Sequence, residues 1–206
     1  MIKVLSVCGS PVPGSSTEIL LRRIASAVAA NLKTRCRHDF VRLSEVEIIP
    51  CQACGEAPTP QFCFLDDTMT VLYRKLIDCD CLLFGTPIYF DSVSAQAKLF
   101  IDRCNCLRPA NFTGDPQHGH FVRLLERQRP GAMVLVGSRR AWFEGARRCI
   151  AGFFKWIEVT NSGCLKFCST DDNRASEAAT HPEILREADE IGQKLAHLIR
   201  KQHARR

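Results

Sequence analysis

The chain has 206 residues, 46% of them hydrophobic and 24% charged, with a formal net charge of +6. These values suit a soluble globular protein of one domain with a sizeable core, and no run of eighteen apolar residues is present to form a membrane span. Four of the excess positive charges, Arg200, Lys201, Arg205 and Arg206, lie in the last seven residues, where they suit a helix end. No aromatic residues interleave with them, so they do not read as a nucleic-acid contact.

Taken in chain order, the pattern alternates strands and helices. "MIKVLSVCGS" runs straight into a strand at 3–7, with no apolar region and cleavage site of a secretory signal. Residues 17–32 place Ile19, Leu20, Ile24, Ala27 and Val28 on one helical face. Residues 37–43 read as a second strand. Residues 66–80 read as a helix with Asp66 and Asp67 as caps and Met69, Leu72 and Leu76 on one face. A third strand follows at 81–89 and a helix at 92–104. Residues 105–130 break the rhythm; a loop this long suits a lid or a surface for another subunit. A fourth strand at 131–138, a helix near 144–156 and a weaker strand at 159–167 come next. The closing helix, 181–201, has Ile184, Ala188, Ile191, Leu195 and Leu198 in register. Strands separated by helices predict an α/β domain over 1–206, a five-stranded parallel sheet doubly wound into three layers.

Twelve cysteines would suggest a disulfide framework in a small secreted protein. Here several sit in apolar runs, such as Cys8 and Cys81, and read as reduced thiols in a cytoplasm. Cys104 and Cys106 fall at a helix end and are expected to pack. "CQACGEAPTPQFC" (51–63) begins like a metal site, with Cys51 and Cys54 two residues apart, but adds only Cys63. "HGH" (118–120), in a Gly/Pro-rich loop, reads as solvated histidines rather than metal ligands.

In an open parallel sheet, ligands bind beyond the carboxyl ends of the strands, where strand order reverses. The first such loop, "CGSPVPGSSTEILL" (8–21), is rich in hydroxyls and opens a helix. Ser10, Ser15, Ser16 and Thr17 can join the helix N-terminus in holding a phosphate; Ser15 with Glu18 is equally a capping box. There is no Walker A sequence and no Gly-x-Gly-x-x-Gly, so the loop suits a mononucleotide phosphate. After the third strand, "GTPIYFDS" turns at Pro87 and sets Ile88, Tyr89 and Phe90 as an apolar edge, either a buried turn or the wall for a flat ring.

"GSPVPGSST" and "DDTMTVLYRKLIDCDCLLFGTPIYFDSVSAQAKLFIDRC" resemble the flavodoxin-like NADPH-dependent FMN reductase family, and within it the iron–sulfur flavoprotein branch. The likeness is clear over roughly residues 1–106 and looser beyond. It implies a flavodoxin-like fold, bound FMN rather than FAD, and NAD(P)H as co-substrate. It implies phosphate contacts at Ser10, Ser15, Ser16 and Thr17, and flavin-ring contacts at Thr86, Pro87, Ile88, Tyr89 and Phe90, with Gly137 and Ser138 after the fourth strand completing the site. It also implies a small-molecule electron acceptor such as a quinone or free flavin, and a homodimer or homotetramer. Arg139 and Arg140 could meet NADPH phosphates or be a solvated loop.

Three departures qualify the likeness. Val12 stands where the family often has a basic residue. Ala141 and Trp142 stand in place of a glycine pair. In the cysteine motif of the iron–sulfur branch, Cys51, Cys54 and Cys63 match the first, second and fourth positions, and Ala57 takes the third. Clusters and structural zinc sites take four ligands. The sequence therefore predicts FMN without a cluster, leaving an iron–sulfur electron-transfer protein and a flavodoxin-type carrier as alternatives. The basic charge argues against the carrier.

Overall fold

The computed structural model describes residues 1–53, 63–108, 122–123, 128–170 and 175–204. Five parallel strands form its centre: β1 (Ile2–Cys8), β2 (Cys36–Arg42), β3 (Cys81–Tyr89), β7 (Arg129–Ser138) and β8 (Val159–Ser169). Their order is β2-β1-β3-β7-β8. A two-residue strand β4 (Ser92–Val93) folds back antiparallel on the end of β3, and β5 (Leu107–Arg108) pairs with β6 (Val122–Arg123) apart from the main sheet. Helices α1 (Ser16–Asn31) and α5 (Pro182–His203) cover one face. Helices α2 (Met69–Asp78), α3 (Ala95–Arg103) and α4 (Glu144–Trp156) cover the other. The five strands and five helices read from the sequence all form, each end within three residues of its expected place.

Alternation inside the buried strands makes both cores. Leu82, Phe84, Met133 and Leu135 face α2–α4 and meet Met69, Leu72, Leu76, Phe100 and Phe153. Their neighbours Cys81, Leu83, Ala132 and Val134 face α1 and α5 and meet Leu20, Ile24, Val28, Leu195 and Ile199. Period two in a strand covered on both faces gives one continuous apolar run, and this is why β3 and β7 stood out in the sequence. Cys104 is fully buried and Cys106 half-buried on the α2–α4 side, so both pack as expected. No helix among the described residues is long and apolar enough to cross a membrane.

Two element starts differ from the sequence reading. The helix expected from 92 begins at Ala95, because Ser92 and Val93 are spent on the hairpin, and Ser94 caps it by accepting from the Ala97 N–H. The helix expected from 66 begins at Met69. Asp67 accepts from the Met69 N–H at 3.0 Å, as a cap would, but its carboxylate also pairs with the guanidinium of Arg103, a side chain only 1% exposed. Arg103 donates as well to the Ile49 carbonyl at 2.7 Å, and Asp67 accepts from the Ile49 N–H at 2.9 Å. The two ends of the cysteine stretch are thus fastened to one buried ion pair.

Strand order reverses between β1 and β3, the two strands from which the chain winds in opposite directions. The switch point predicted to hold the ligand therefore lies at Cys8, Tyr89 and Ser138, the carboxyl ends of β1, β3 and β7.

Candidate active site

The loop after β1 is built from local chemistry. Gly14 turns the chain with a φ of 68°, a conformation costly for a residue with a Cβ. Ser15 then caps α1 by accepting from the Glu18 N–H, and Glu18 reaches back to the Gly14 N–H at 3.0 Å. The capping box read from the sequence is present, with Glu18 reaching one residue further back than usual. Arg22 and Arg42 also donate to Glu18, at 2.7 and 2.6 Å. Burial works to raise the Glu18 pKa, but these donors outweigh it and hold the carboxyl at about 2. Burial pushes the neighbouring Cys8 thiol up to about 11, so it remains a neutral core group.

Above this loop lies a cavity of about 430 Å³ at the carboxyl ends of β1, β3 and β7. Of the eleven residues picked out for a flavin site, nine line it: Ser10, Ser15, Ser16, Thr17, Pro87, Ile88, Tyr89, Gly137 and Ser138. Val12, Val136, Ser169 and Ala175 complete the wall. Ser169 and Ala175 gave no sequence signal, because β8 and the segment after it reach the site only through the fold.

Two of the eleven do not line the cavity. The Thr86 side chain is fully buried, and its hydroxyl accepts from the Ser94 N–H at 2.9 Å, anchoring the β3–β4 hairpin. Phe90 is fully exposed at the hairpin's tip. Ser16, although in the cavity wall, is committed elsewhere. Its N–H and hydroxyl both donate to the Ala175 carbonyl, at 2.6 and 2.9 Å, and its oxygen accepts from the Ala178 N–H. It ties the segment after β8 to the start of α1. The end of β8 is held by Glu177, a buried carboxylate that accepts from the Ser169 hydroxyl at 2.5 Å and from the Thr170 N–H and hydroxyl.

Thr17, Ser15, whose hydroxyl hydrogen is not used in the cap, and Ser10, whose hydroxyl makes only long contacts to Val12 at 3.3 and 3.4 Å, are the hydroxyls beside the positive end of α1, facing Pro87, Ile88, Tyr89 and Val136. Hydroxyl donors at a helix N-terminus and an apolar wall facing them fit a phosphate ester carrying a flat ring. A larger hollow of about 640 Å³ along α5 sets three carboxylates, Glu183, Glu187 and Glu190, against Arg186 and His181, a poorer setting for a phosphate.

The profile of the NADPH-dependent FMN reductases matches residues 2–150. The chain belongs to that family. It is an NAD(P)H-dependent FMN oxidoreductase with a flavodoxin-like fold. It is 27% identical over 205 residues to an iron–sulfur flavoprotein of Methanocaldococcus jannaschii, covering 97% of this chain and 98% of that one. It is 28% identical over 158 residues to an iron–sulfur flavoprotein of Methanosarcina thermophila, covering 77% and 74%. Among solved structures it is similar to a flavone reductase, with a TM-score of 0.67 at 14% identity over 98% of this chain and 64% of that chain. A flavodoxin from the domain Archaea matches with a TM-score of 0.55 at 12% identity, covering 97% and 99%. The FMN reductase therefore spans just under two thirds of the flavone reductase chain.

Only the two ends of the cysteine stretch lie among the described residues. Cys51 is exposed, at the edge of a separate cavity with Ile101, Asp102 and Asn105. Cys63 is half-buried against the α2–α4 core. Cys54, Ala57 and the "HGH" histidines lie outside the described residues. Among the described residues no three Cys, His, Asp or Glu side chains are grouped to hold a metal ion. Cys106, at the foot of the stretch, is a thiol pushed up to about 11 by burial, and its sulfur donates to the Arg103 carbonyl.

Proposed function

We propose that this FMN reductase takes hydride from NAD(P)H and passes electrons to a small acceptor such as a quinone or free flavin. The carrying observation is the single cavity in which Ser10, Ser15 and Thr17, at the start of α1, face an apolar wall from β3 and β7. In this reading the hydroxyls of Ser10, Ser15 and Thr17, with the positive end of α1 behind them, hold the FMN phosphate. With Val12 in place of a basic residue, the helix dipole carries more of the charge balance. Pro87, Ile88 and Tyr89 flank the ring on one side, and Val136, Gly137 and Ser138 on the other. Bound there, FMN supplies the hydride and electron chemistry. The chain's own residues orient the two substrates and exclude water. Arg139 and Arg140 are exposed at the cavity rim with no acidic partner among the described residues, and they suit NADPH phosphates.

The test is direct. Cofactor released by heat and separated on a column should be FMN; an adenine-containing flavin defeats the reading. Purified protein should oxidise NADPH in the presence of a quinone.

A second reading, electron transfer through an iron–sulfur cluster to a protein partner, is favoured by the relatives that are iron–sulfur flavoproteins. Against it stands Ala57, which removes one thiolate of four. We propose that anaerobically purified protein carries FMN without stoichiometric iron, sulfide or zinc. About four irons or one zinc per chain, lost in Cys51→Ser, would restore the second reading. We further propose a reduced cytoplasmic protein that assembles as a homodimer or homotetramer, which light scattering would show.

A further inference from the structure

The helical turn Glu177–Thr180, which follows β8, sets a carboxylate behind one hydroxyl of the cavity wall. Glu177 is only 4% exposed. It accepts from the Ser169 hydroxyl at 2.5 Å, from the Thr170 N–H at 2.9 Å and from the Thr170 hydroxyl at 2.5 Å. His181, on the wall of the α5 hollow, adds a ring nitrogen at 3.2 Å. An ionised carboxylate only accepts, and a hydroxyl has one hydrogen and two lone pairs. The Ser169 hydrogen is therefore turned towards Glu177, and Ser169 meets a ligand in the cavity with its lone pairs. Hydrogen bonds to a carboxylate are stronger than neutral ones, so this orientation resists reversal.

Ser169 is thus the opposite of a phosphate-binding hydroxyl. It cannot donate to a phosphate oxygen without giving up Glu177, and the charge behind it works against a phosphate at that spot. What it can take is a donor, and its place decides which. In the β7–β8 register Ser169 lies opposite Ser138, beside the Gly137 end of the apolar wall. On its other side Ala178, next to Glu177 in the same turn, donates its N–H to Ser16 Oγ at 3.1 Å, and Ser16 opens α1. Ser169 therefore stands between the ring end and the phosphate end of the cavity. In FMN the part that spans those ends is the ribityl chain, whose side hydroxyls are donors.

We propose that Ser169 accepts a hydrogen bond from a ribityl hydroxyl, and that Glu177 is the positioning residue that fixes it as an acceptor. The site then selects flavins with a hydroxylated side chain over flavins with a bare alkyl phosphate. This rests on the FMN reading above. It gives β8 a task of its own: the strand supplies the middle of the cofactor's cradle, between the α1 hydroxyls and the β3 wall.

The experiment titrates the purified protein with FMN and with an FMN analogue whose side chain is an unsubstituted pentyl phosphate, followed by flavin fluorescence. Ring and phosphate are the same in both, so the ratio of the two affinities reads the side hydroxyls alone. The parent should prefer FMN by about fivefold, the worth of one hydrogen bond. Ser169→Ala should abolish that preference, weakening FMN by about fivefold and leaving the analogue unchanged. Glu177→Gln offers an amide N–H as well as an oxygen, so Ser169 is no longer fixed as an acceptor and the preference should fall to about twofold. A Ser169→Ala variant that keeps the parent's preference, even with both affinities lowered, overturns the proposal. So does a parent that binds both flavins equally, and either result leaves the FMN reading intact. The parent's preference retained in Glu177→Gln overturns the positioning role of Glu177. If Glu177→Gln does not fold, Ser169→Ala decides the ribityl contact alone. A parent that binds neither flavin overturns both this proposal and the FMN reading.

Discussion

The loop after β1 and the stretch after β2 leave neighbouring strand ends, yet they are held by opposite means. The first is fastened by residues within its own short span: Gly14 turns, Ser15 caps and Glu18 reaches back. The second is fastened by a side chain far along the sequence, since Arg103 at the end of α3 holds both Ile49 and Asp67. A locally built loop fixes its hydroxyls beside a helix N-terminus, a setting that favours a phosphate. The cysteine stretch instead has its flanking residues held by contacts far apart in sequence. The first motif lines a complete cavity, while the second has Ala57 in place of its third cysteine.

The largest expected effect separates the two regions. Arg103→Met leaves the Asp67 carboxylate buried and unpaired, and should cost about 3–5 kcal/mol in urea denaturation. FMN affinity of the folded fraction should change by less than about twofold, because distant sites without shared partners act independently. A parallel loss of FMN binding would show that the clamp and the cavity are coupled.

Next comes acid stability of the first loop. Glu18 titrates at about 2, below its ordinary 4.5. A depressed carboxyl contributes stability that is fully present above its unfolded pKa and lost as pH falls through the folded one. About 2–3 kcal/mol should therefore disappear between pH 4.5 and pH 2. Glu18→Gln should flatten that part of the curve, read as urea midpoints at about pH 5 and about pH 3.

Ser10→Ala and Thr17→Ala should each weaken FMN binding by about 1–3 kcal/mol, measured by fluorescence titration. Ser16→Ala should chiefly lower stability, because its hydroxyl serves Ala175 and Ala178. Unchanged affinity in both of the first two variants would move the phosphate elsewhere. The smallest effect is at the hairpin tip. Phe90→Gly should raise the thermal midpoint slightly, by the equivalent of about 1 kcal/mol or less, since no packing is lost and the left-handed strain at Phe90, whose φ is 48°, is relieved.

Much of the site was legible because it is written in short spans. Buried strands announce themselves by uninterrupted apolar runs, and the helix starts carry their caps beside them, so nine cavity residues could be read from two loops and one strand end. Of the four lining residues not picked out, Val12 and Val136 sit beside residues that were, whereas Ser169 and Ala175 lie far along the sequence. Thr86 and Phe90 sit beside true cavity residues, yet a hairpin takes one inward as an anchor and the other outward to solvent. Reading successive residues as one wall ignored that a tight turn reverses the chain.

By itself, then, the sequence determined the element order, the parallel sheet, the hydroxyl-rich loop at a helix start and the missing third cysteine. Each depends on periodicity, capping or ligand number within a few residues. Only the tertiary structure decided that Asp67 would serve Arg103, that Ser16 would be spent on Ala175, and that Ser169 would line the same cavity as Ser10. Those outcomes depend on which side chains the winding of the sheet brings together, and contacts between residues tens of positions apart leave no periodic trace in a single chain.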